Sequence, residues 1–312
     1  MSRVLVLLST YNGEKYLHEQ LDSLYSQNGV EVTILARDDG SSDNTLSILQ
    51  DYSATKGSLD IIKGMNVGAA SSFYMLIKEA NLNYKDYDYY AFCDQDDVWL
   101  NDKLNVAVRA LDSSESELKL YCGHATPTDQ FLNPIKAPQM RQSYSLGSNI
   151  VASRVLGCTM VFNKRLLFEV ARIIPSVENG ALKDYKLPLH DGWTSLVAYA
   201  LGADVITSNE PYMYYRQHGG NVVGSGKNTL HLLKARIFRY LRSENLKSKI
   251  CEIALRVYGN DIPEPNKTLI RQCANYRHSF TGTIAFMFNK SIYQYGLIEN
   301  VCTFFMILLH KF

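Results

Sequence analysis

Val4-Leu5-Val6-Leu7-Leu8, running into Ser9-Thr10-Tyr11-Asn12 and followed by Leu17, Leu21, Leu24 and Tyr25, is the stretch on which the fold turns. Five apolar residues without alternation mark a strand covered on both faces, and the spacing of three and four behind them is that of a helix. The same change of period recurs three times. Residues 32–36 precede Leu46 and Leu49, with Ser42 or Asp43 as helix cap. Residues 59–62 precede Phe73, Leu76, Ile77 and Ala80. Residues 89–93 precede Leu104, Ala107, Val108 and Leu111, with Asn101 as cap. Strands alternating with helices of this length predict an α/β fold: a mostly parallel sheet flanked by helices. In such sheets ligands bind outside the carboxyl ends of the strands.

Working outward, the pattern loosens from 121 to about 184, where Pro127, Pro134, Pro138 and Gly147 interrupt it. A helix is expected over 193–201 and a strand over 204–206. Gly219, Gly220, Gly224 and Gly226 mark a loop, and two helical stretches, 230–254 and 267–309, are separated by Pro263 and Pro265. The composition is that of a globular chain: 312 residues, 46% hydrophobic and 20% charged, with 8 Pro and 19 Gly, which excludes collagen-like, disordered and low-complexity classes. The six cysteines form no CxxC pair, so they read as reduced thiols and not as a zinc or disulfide framework. Residues 4–8 are too short for a signal-peptide core. The longest apolar run, 301–309, falls well short of the roughly 20 residues a spanning helix needs. A cytoplasmic protein is expected. The net charge of +1 gives no support to nucleic-acid binding, but it is unevenly spread: residues 228–312 hold 12 Lys and Arg against 5 Asp and Glu.

Two acidic clusters fall where the sheet places its ligand. One strand runs into Arg37-Asp38-Asp39-Gly40-Ser41-Ser42-Asp43 and another into Asp94-Gln95-Asp96-Asp97; a third acid stands at His190-Asp191-Gly192. Isolated clusters of this kind are commonly solvated loop acids or helix caps, and Asp191, ahead of a helix, has that reading too. Two at successive strand ends point further. Carboxylates this close repel unless a cation joins them, and hard oxygen ligands select Mg²⁺ or Mn²⁺, which in turn suits a nucleotide diphosphate. The chain has no GxxxxGK[ST] loop and no GxGxxG after its first strand, which removes kinase and dehydrogenase readings.

Taken in order, the first-strand Ser9-Thr10-Tyr11-Asn12, Asp38-Asp39-Gly40-Ser41-Ser42-Asp43, Asp94-Gln95-Asp96-Asp97 and Asp102-Lys103-Leu104 resemble the family 2 glycosyltransferases of GT-A fold, in their rhamnosyltransferase-like branch, over residues 1–225. The resemblance implies a catalytic domain over 1–226, divided into a nucleotide-sugar half (1–112) and an acceptor half (113–226), with a helical region over 227–312. It implies that Ser9 and Tyr11 line the nucleoside pocket and that Asp39 accepts the N3–H of uracil or thymine, as an acceptor-only carboxylate can. Asp94-Gln95-Asp96 matches the metal-binding DxD element, with Asp96 the direct ligand to Mn²⁺ or Mg²⁺ and Asp94 at the ribose or the outer shell. Asp97 and Trp99 would border the sugar. Asp191 matches the catalytic base of inverting members. In Tyr215-Arg216-Gln217-His218, Arg216 would pair with the diphosphate and His218 would join the metal or phosphate shell.

The implied reaction moves a sugar, L-rhamnose from dTDP-β-L-rhamnose or another from a UDP-linked donor, to a saccharide or lipid-linked saccharide acceptor of a bacterial cell-surface polysaccharide. The basic stretch 228–249, with Leu230, Leu233, Ile237 and Leu241 at helical spacing, is expected to hold the enzyme on the inner face of the plasma membrane; the alternative is packing on the catalytic domain or on a second subunit as a homodimer. Two other readings stay open from residues alone: a sugar-1-phosphate nucleotidyltransferase, against which the lack of a basic Gly-rich loop after strand one counts, and a non-catalytic carbohydrate-binding module.

Overall fold

The computed structural model describes residues 1–136, 145–153, 155–183, 185, 187–218, 246–293 and 296–312. Strands β1 (Ser2–Thr10), β2 (Val30–Asp38), β3 (Leu59–Lys63) and β4 (Tyr89–Cys93) alternate with helices α1 (Leu17–Tyr25), α2 (Thr45–Lys56) and α3 (Ala69–Asn83). The first three strands pair in parallel, and β4 adds in parallel to β1. Val4 through Leu8 are all fully buried, and they divide as strand geometry requires. Val4, Val6 and Leu8 face one layer with Leu17, Leu21 and Leu104; Leu5 and Leu7 face the other with Phe73, Leu76 and Trp193.

Beyond β4 the sheet changes direction. A short β5 (Val98–Trp99) and α4 (Lys103–Asp112) lead to β6 (Lys119–Thr128), then α5 (Leu146–Val151), β7 (Met160–Asn163), α6 (Lys164–Ala171), α7 (Ile174–Glu178), α8 (His190–Leu201) and β8 (Asp204–Arg216). Sheet order is β3-β2-β1-β4-β7-β6-β8-β5, with β7 antiparallel to both neighbours and β8 parallel to β6. The strand expected over 204–206 therefore continues ten residues further. Its length has a consequence for the site: β8 pairs antiparallel with β5, Val98 opposite Tyr214, and so brings the Arg216-Gln217-His218 end beside residues 94–97. Helix α4 begins at Lys103 behind Asp102, one residue later than the Asn101 cap predicts.

The last stretch is not one helix over 267–309. Behind α9 (Leu246–Tyr258) it breaks into α10 (Asn266–Asn275), α11 (Phe280–Met287) and α12 (Leu297–Leu308). Each break has a local cause: Ser279 Oγ accepts the Gly282 N–H as a new N-cap, Asn289 Oδ1 accepts the Ser291 N–H, and Gly296 opens the last helix. These helices share one apolar core with the sheet layer. Trp193 stacks near Tyr258 at 5.9 Å, and the Tyr258 hydroxyl donates to the Glu169 carbonyl. Replacing Tyr258 with Phe is expected to cost about 1 kcal/mol, the net worth of one such hydrogen bond, read as a lower urea midpoint at unchanged m-value. Residues 219–245, which hold the Gly-rich loop, the 226/227 boundary and most of the basic stretch 228–249, lie outside the described residues. Of that stretch, Lys247 turns inward and donates to the carbonyls of Ile150 and Val151. Among the described residues no helix is long and apolar enough to cross a membrane.

Candidate active site

The loops at the carboxyl ends of β1, β2 and β4 are stitched together by side chains before any ligand is considered. Gln95 holds the Tyr11 backbone at both ends: its Oε1 accepts the Tyr11 N–H at 2.7 Å and its Nε2 donates to the Tyr11 carbonyl at 3.0 Å. A Cβ at Gly13 would lie 2.3 Å from Gln95 Oε1, so a larger residue here would push the Gln95 amide off the clamp. Gln95, expected at the nucleotide sugar as the middle residue of the DxD match, has its amide engaged in this clamp. Asn12 Oδ1 accepts the Ser42 N–H, and Ser41 Oγ accepts the Asn12 N–H, tying the first loop to the second. Tyr11 itself stays exposed. Ser9, half-buried, shares a hydrogen bond with Ser72.

In the second loop the two aspartates differ in kind. Asp38 closes its own turn by accepting from Ser41 N–H and Oγ–H. Asp39 is buried, its Oδ1 meeting Arg37 Nη1 at 2.5 Å and the Val67 N–H, its Oδ2 the Gly68 N–H. Arg37 is equally buried and also donates to Ser72 Oγ and the Met65 carbonyl, so the guanidinium serves as the counter-ion of this acid. Three donors fill three of the four acceptor directions of the ionised carboxylate, leaving one.

The third cluster separates into distinct roles. Asp96 is half-buried, and its Oδ2 lies 2.7 Å from His218 Nε2 across 122 residues of chain. Asp94 is half-buried beside it, and burial together with the Asp96 and Asp191 charges pushes its carboxyl up to about 7. Asp97 is fully buried: Oδ1 accepts the Arg216 N–H, and burial and neighbouring acids raise its pKa. Asp94, Asp97 and the Cys158 thiol have ligand atoms within 4.8 Å of one another.

Three residues are placed otherwise than the resemblance implies. Asp97, expected to border the sugar, is sealed inside and braces the end of β8. Trp99 is 1% exposed, with Lys103 Nζ 3.3 Å above its ring, so it belongs to the core beneath the site. Arg216 is 2% exposed and committed to the protein: Nε donates to the Asp96 carbonyl, Nη1 to the Gln130 carbonyl and Nη2 pairs with Glu19. These bonds fix the Asp96 backbone and occupy the guanidinium that was expected at the diphosphate. Sequence reading also missed Lys103 as a buried cation under this cluster; burial brings its pKa down to about 8. Its position in register with Ala107 and Leu111, at i, i+4 and i+8 of an apolar stripe, is the signal that was available.

Asp191 stands in the first turn of α8, its Oδ1 accepting the Gly192 N–H at 2.6 Å. Burial raises its pKa while the backbone N–H groups of Gly192, Asp191 and Gly157 oppose the rise, and its charge is felt at Asp94. The preceding His190 is stacked on Phe73 at 3.7 Å and edge-on to Phe92 at 4.7 Å; burial lowers its pKa to about 3, so the ring is neutral. A Cβ on Gly157 would meet His190 Nε2 at 2.6 Å and Asp191 Cβ at 3.3 Å, between a stacked ring and the root of the Asp191 side chain. Gly157→Ala is therefore expected to displace the start of α8, costing about 1–3 kcal/mol of stability and about tenfold or more in turnover through the shifted Asp191. Thermal unfolding beside steady-state rates checks both. A separate surface cavity of about 710 Å³, lined by Lys85, Tyr89, Lys119 and Lys164 among others, lies at the opposite end of β4 and holds none of these groups.

An open mixed sheet with carboxylates gathered at the strand ends and the N-terminus of α8 is the GT-A arrangement. Solved structures agree in fold: S. aureus TarS 1–349 in complex with UDP-GlcNAc superposes with a TM-score of 0.58 at 21% identity, over 100% of this chain and 80% of that one. The mannosyltransferase PcManGT from Pyrobaculum calidifontis, in complex with GDP-Man and Mn²⁺, gives 0.53 at 17% identity over 99% and 85%. Residues 5–162 match Glycosyl transferase family 2. The chain belongs to that family and is a glycosyltransferase. It is 30% identical over 250 residues, 79% of this chain and 83% of the relative, to the dTDP-rhamnosyl transferase RfbG of Shigella flexneri. It is also 27% identical over 168 residues, 52% of this chain and 62% of the relative, to the putative teichuronic acid biosynthesis glycosyltransferase TuaG of Bacillus subtilis.

Proposed function

We propose that the chain transfers L-rhamnose from dTDP-β-L-rhamnose to a hydroxyl of a cell-surface polysaccharide precursor, with inversion at the anomeric carbon. The observation that carries the mechanism is the meeting of Asp94 and Asp96, Asp191, and His218 from three distant parts of the chain. Its rhamnosyl donor rests on the RfbG likeness. The donor's thymine would lie by Ser9 and Tyr11 over the remaining acceptor direction of Asp39. In transfer the acceptor oxygen forms its bond to C1 as the C1–O bond to phosphate breaks, with the electron pair leaving on the diphosphate. The hydroxyl proton goes to the Asp191 carboxylate, which must stand within about 3 Å of it. Attack opposite the diphosphate turns the β-linked donor into an α-L-rhamnoside.

The carboxylate oxygens of Asp96 and Asp94 suit Mn²⁺ or Mg²⁺, and the His218 imidazole nitrogen beside Asp96 suits Mn²⁺ the better of the two. Such an ion, when bound, supplies charge neutralisation to the departing diphosphate. Arg216 and Gln95 act indirectly, holding Asp96 and the Tyr11 loop in place. The acceptor would be a lipid-linked saccharide presented at the inner face of the plasma membrane.

The test is a panel of dTDP- and UDP-linked sugars with Mn²⁺ or Mg²⁺, read as thermal shift and as release of nucleotide diphosphate. A donor at 100 times its Kd is expected to add about 2.7 kcal/mol, with dTDP-rhamnose giving the largest shift and dTDP as product. A preference for a UDP-sugar removes the rhamnosyl reading and keeps the transferase. Consumption of dTTP or UTP with release of pyrophosphate makes the chain a nucleotidyltransferase.

A further inference from the structure

The C-terminal helices α11 and α12 are apolar on both sides although the protein covers only one. Thr283, Phe286 and Met287 of α11, and Thr303, Met306 and Ile307 of α12, face inward and are buried. On the outer side, Phe280, Ile284 and Phe288 follow one another at i, i+4 and i+8, with Phe280 82% and Phe288 67% exposed. Helix α12 repeats the pattern with Leu297, Val301, Phe305 and Leu308, where Leu297 is 81% exposed, and Leu309 extends it. The two rows meet where the Phe288 ring stands edge-on to Phe304, which in turn lies edge-on to Phe305. Eight large apolar side chains left in water on two neighbouring helices are far more than the scattered exposure normal for a surface, and mark a binding face.

The surrounding charge selects the occupant. Residues 265–312 hold five Lys and Arg and a single acid, Glu299, with Arg271 and Arg277 paired to Glu264 and Glu252, while residues 1–227 carry an excess of acid. Lys290, exposed, stands two residues beyond Phe288, and His278, also exposed, two before Phe280. A second copy docking on the same face would offer Lys290 only one acid of these two helices, Glu299. An anionic lipid surface would be attracted by Lys290, and would receive the Phe and Leu side chains at the headgroup boundary in the manner of interfacial amphipathic helices.

We propose that the outer face of α11 and α12 docks the enzyme on an anionic lipid bilayer. This surface is separate from the 228–249 stretch and from the carboxylate site, and does not depend on which donor the enzyme takes. The test is co-sedimentation of the full chain with vesicles of phosphatidylcholine alone or mixed with phosphatidylglycerol, at low and high salt, beside sedimentation equilibrium without lipid. The native chain is expected to pellet with the mixed vesicles, less so at high salt. Combined Phe280→Ser, Phe288→Ser and Phe305→Ser should lower the partition coefficient by about tenfold or more, as loss of inserted apolar area requires. Lys290→Glu should weaken binding at low salt only. Because all four side chains are exposed, near-UV circular dichroism and donor hydrolysis in lipid-free solution should match the native protein. The proposal is overturned if the native chain stays in the supernatant with anionic vesicles, or if the triple variant binds them as well as native. A dimer that the triple variant dissolves also overturns it, in favour of a second copy.

Discussion

Asp191→Asn is expected to bind donor as the native enzyme does and to lose about 10²-fold or more in turnover, the usual scale for removing a positioned proton acceptor. The amide keeps the shape and can still accept the Gly192 N–H, but its oxygen is not a base at neutral pH. The pH profile gives an independent reading. Burial raises the Asp191 pKa, so the native rate should fall on the acid side from above the ordinary carboxylate range, and that limb should be missing from the residual activity of the variant. Stability moves the other way. A carboxyl whose folded pKa exceeds its unfolded value favours the fold at low pH, and that contribution is lost as pH rises through the folded pKa. The Asn variant should therefore equal native below the unfolded value of about 4 and gain on it towards neutrality. Near-native transfer by Asp191→Asn would show that the residue is only a helix start and that the base lies elsewhere.

The sheet half of the fold could be read because its signal is local. Val4 to Leu8 and Tyr89 to Cys93 are buried on both faces, and uninterrupted apolar runs say so directly. What could not be read depends on partners far away in the chain. Asp94 to Asp97 look equivalent in sequence, yet Asp96 finds His218, Asp97 finds the Arg216 backbone, and Gln95 finds Tyr11. The first two pairings exist only because β8 runs ten residues beyond its apolar start and returns along β5, a stretch whose bulges and Pro211 hide the strand period. Trp99 and Arg216 illustrate the same limit: a motif position shows which residue type stands near a site, while burial decides whether it faces the ligand or supports the wall. Arg37, by contrast, could be read as a neutralising partner of its neighbouring acids, since Asp39 is two residues away.

Asp96→Ala is expected to abolish detectable turnover and to weaken Mn²⁺ binding, followed by the loss of free-ion signal in electron paramagnetic resonance, by about 10²-fold or more. That is beyond the 10- to 100-fold usual for groups that merely orient ligands. Removal of the side chain leaves the Asp96 carbonyl in place, so the Arg216 Nε–H keeps its acceptor and the wall of the site survives. It also removes one of the charges that hold the Asp94 carboxyl up, so unfolding temperature should be unchanged or slightly higher. A fold defect and a metal defect are thereby separable in one variant. His218→Ala should follow in the same direction with a smaller loss, because Asp96 keeps its charge while losing only the imidazole 2.7 Å away. Excess EDTA on the native enzyme should reproduce the Asp96→Ala rate, with Mn²⁺ restoring native protein but not the variant. Full activity of Asp96→Ala, or native turnover undiminished in EDTA, would mean that Asp96 and His218 pair with each other and hold no ion.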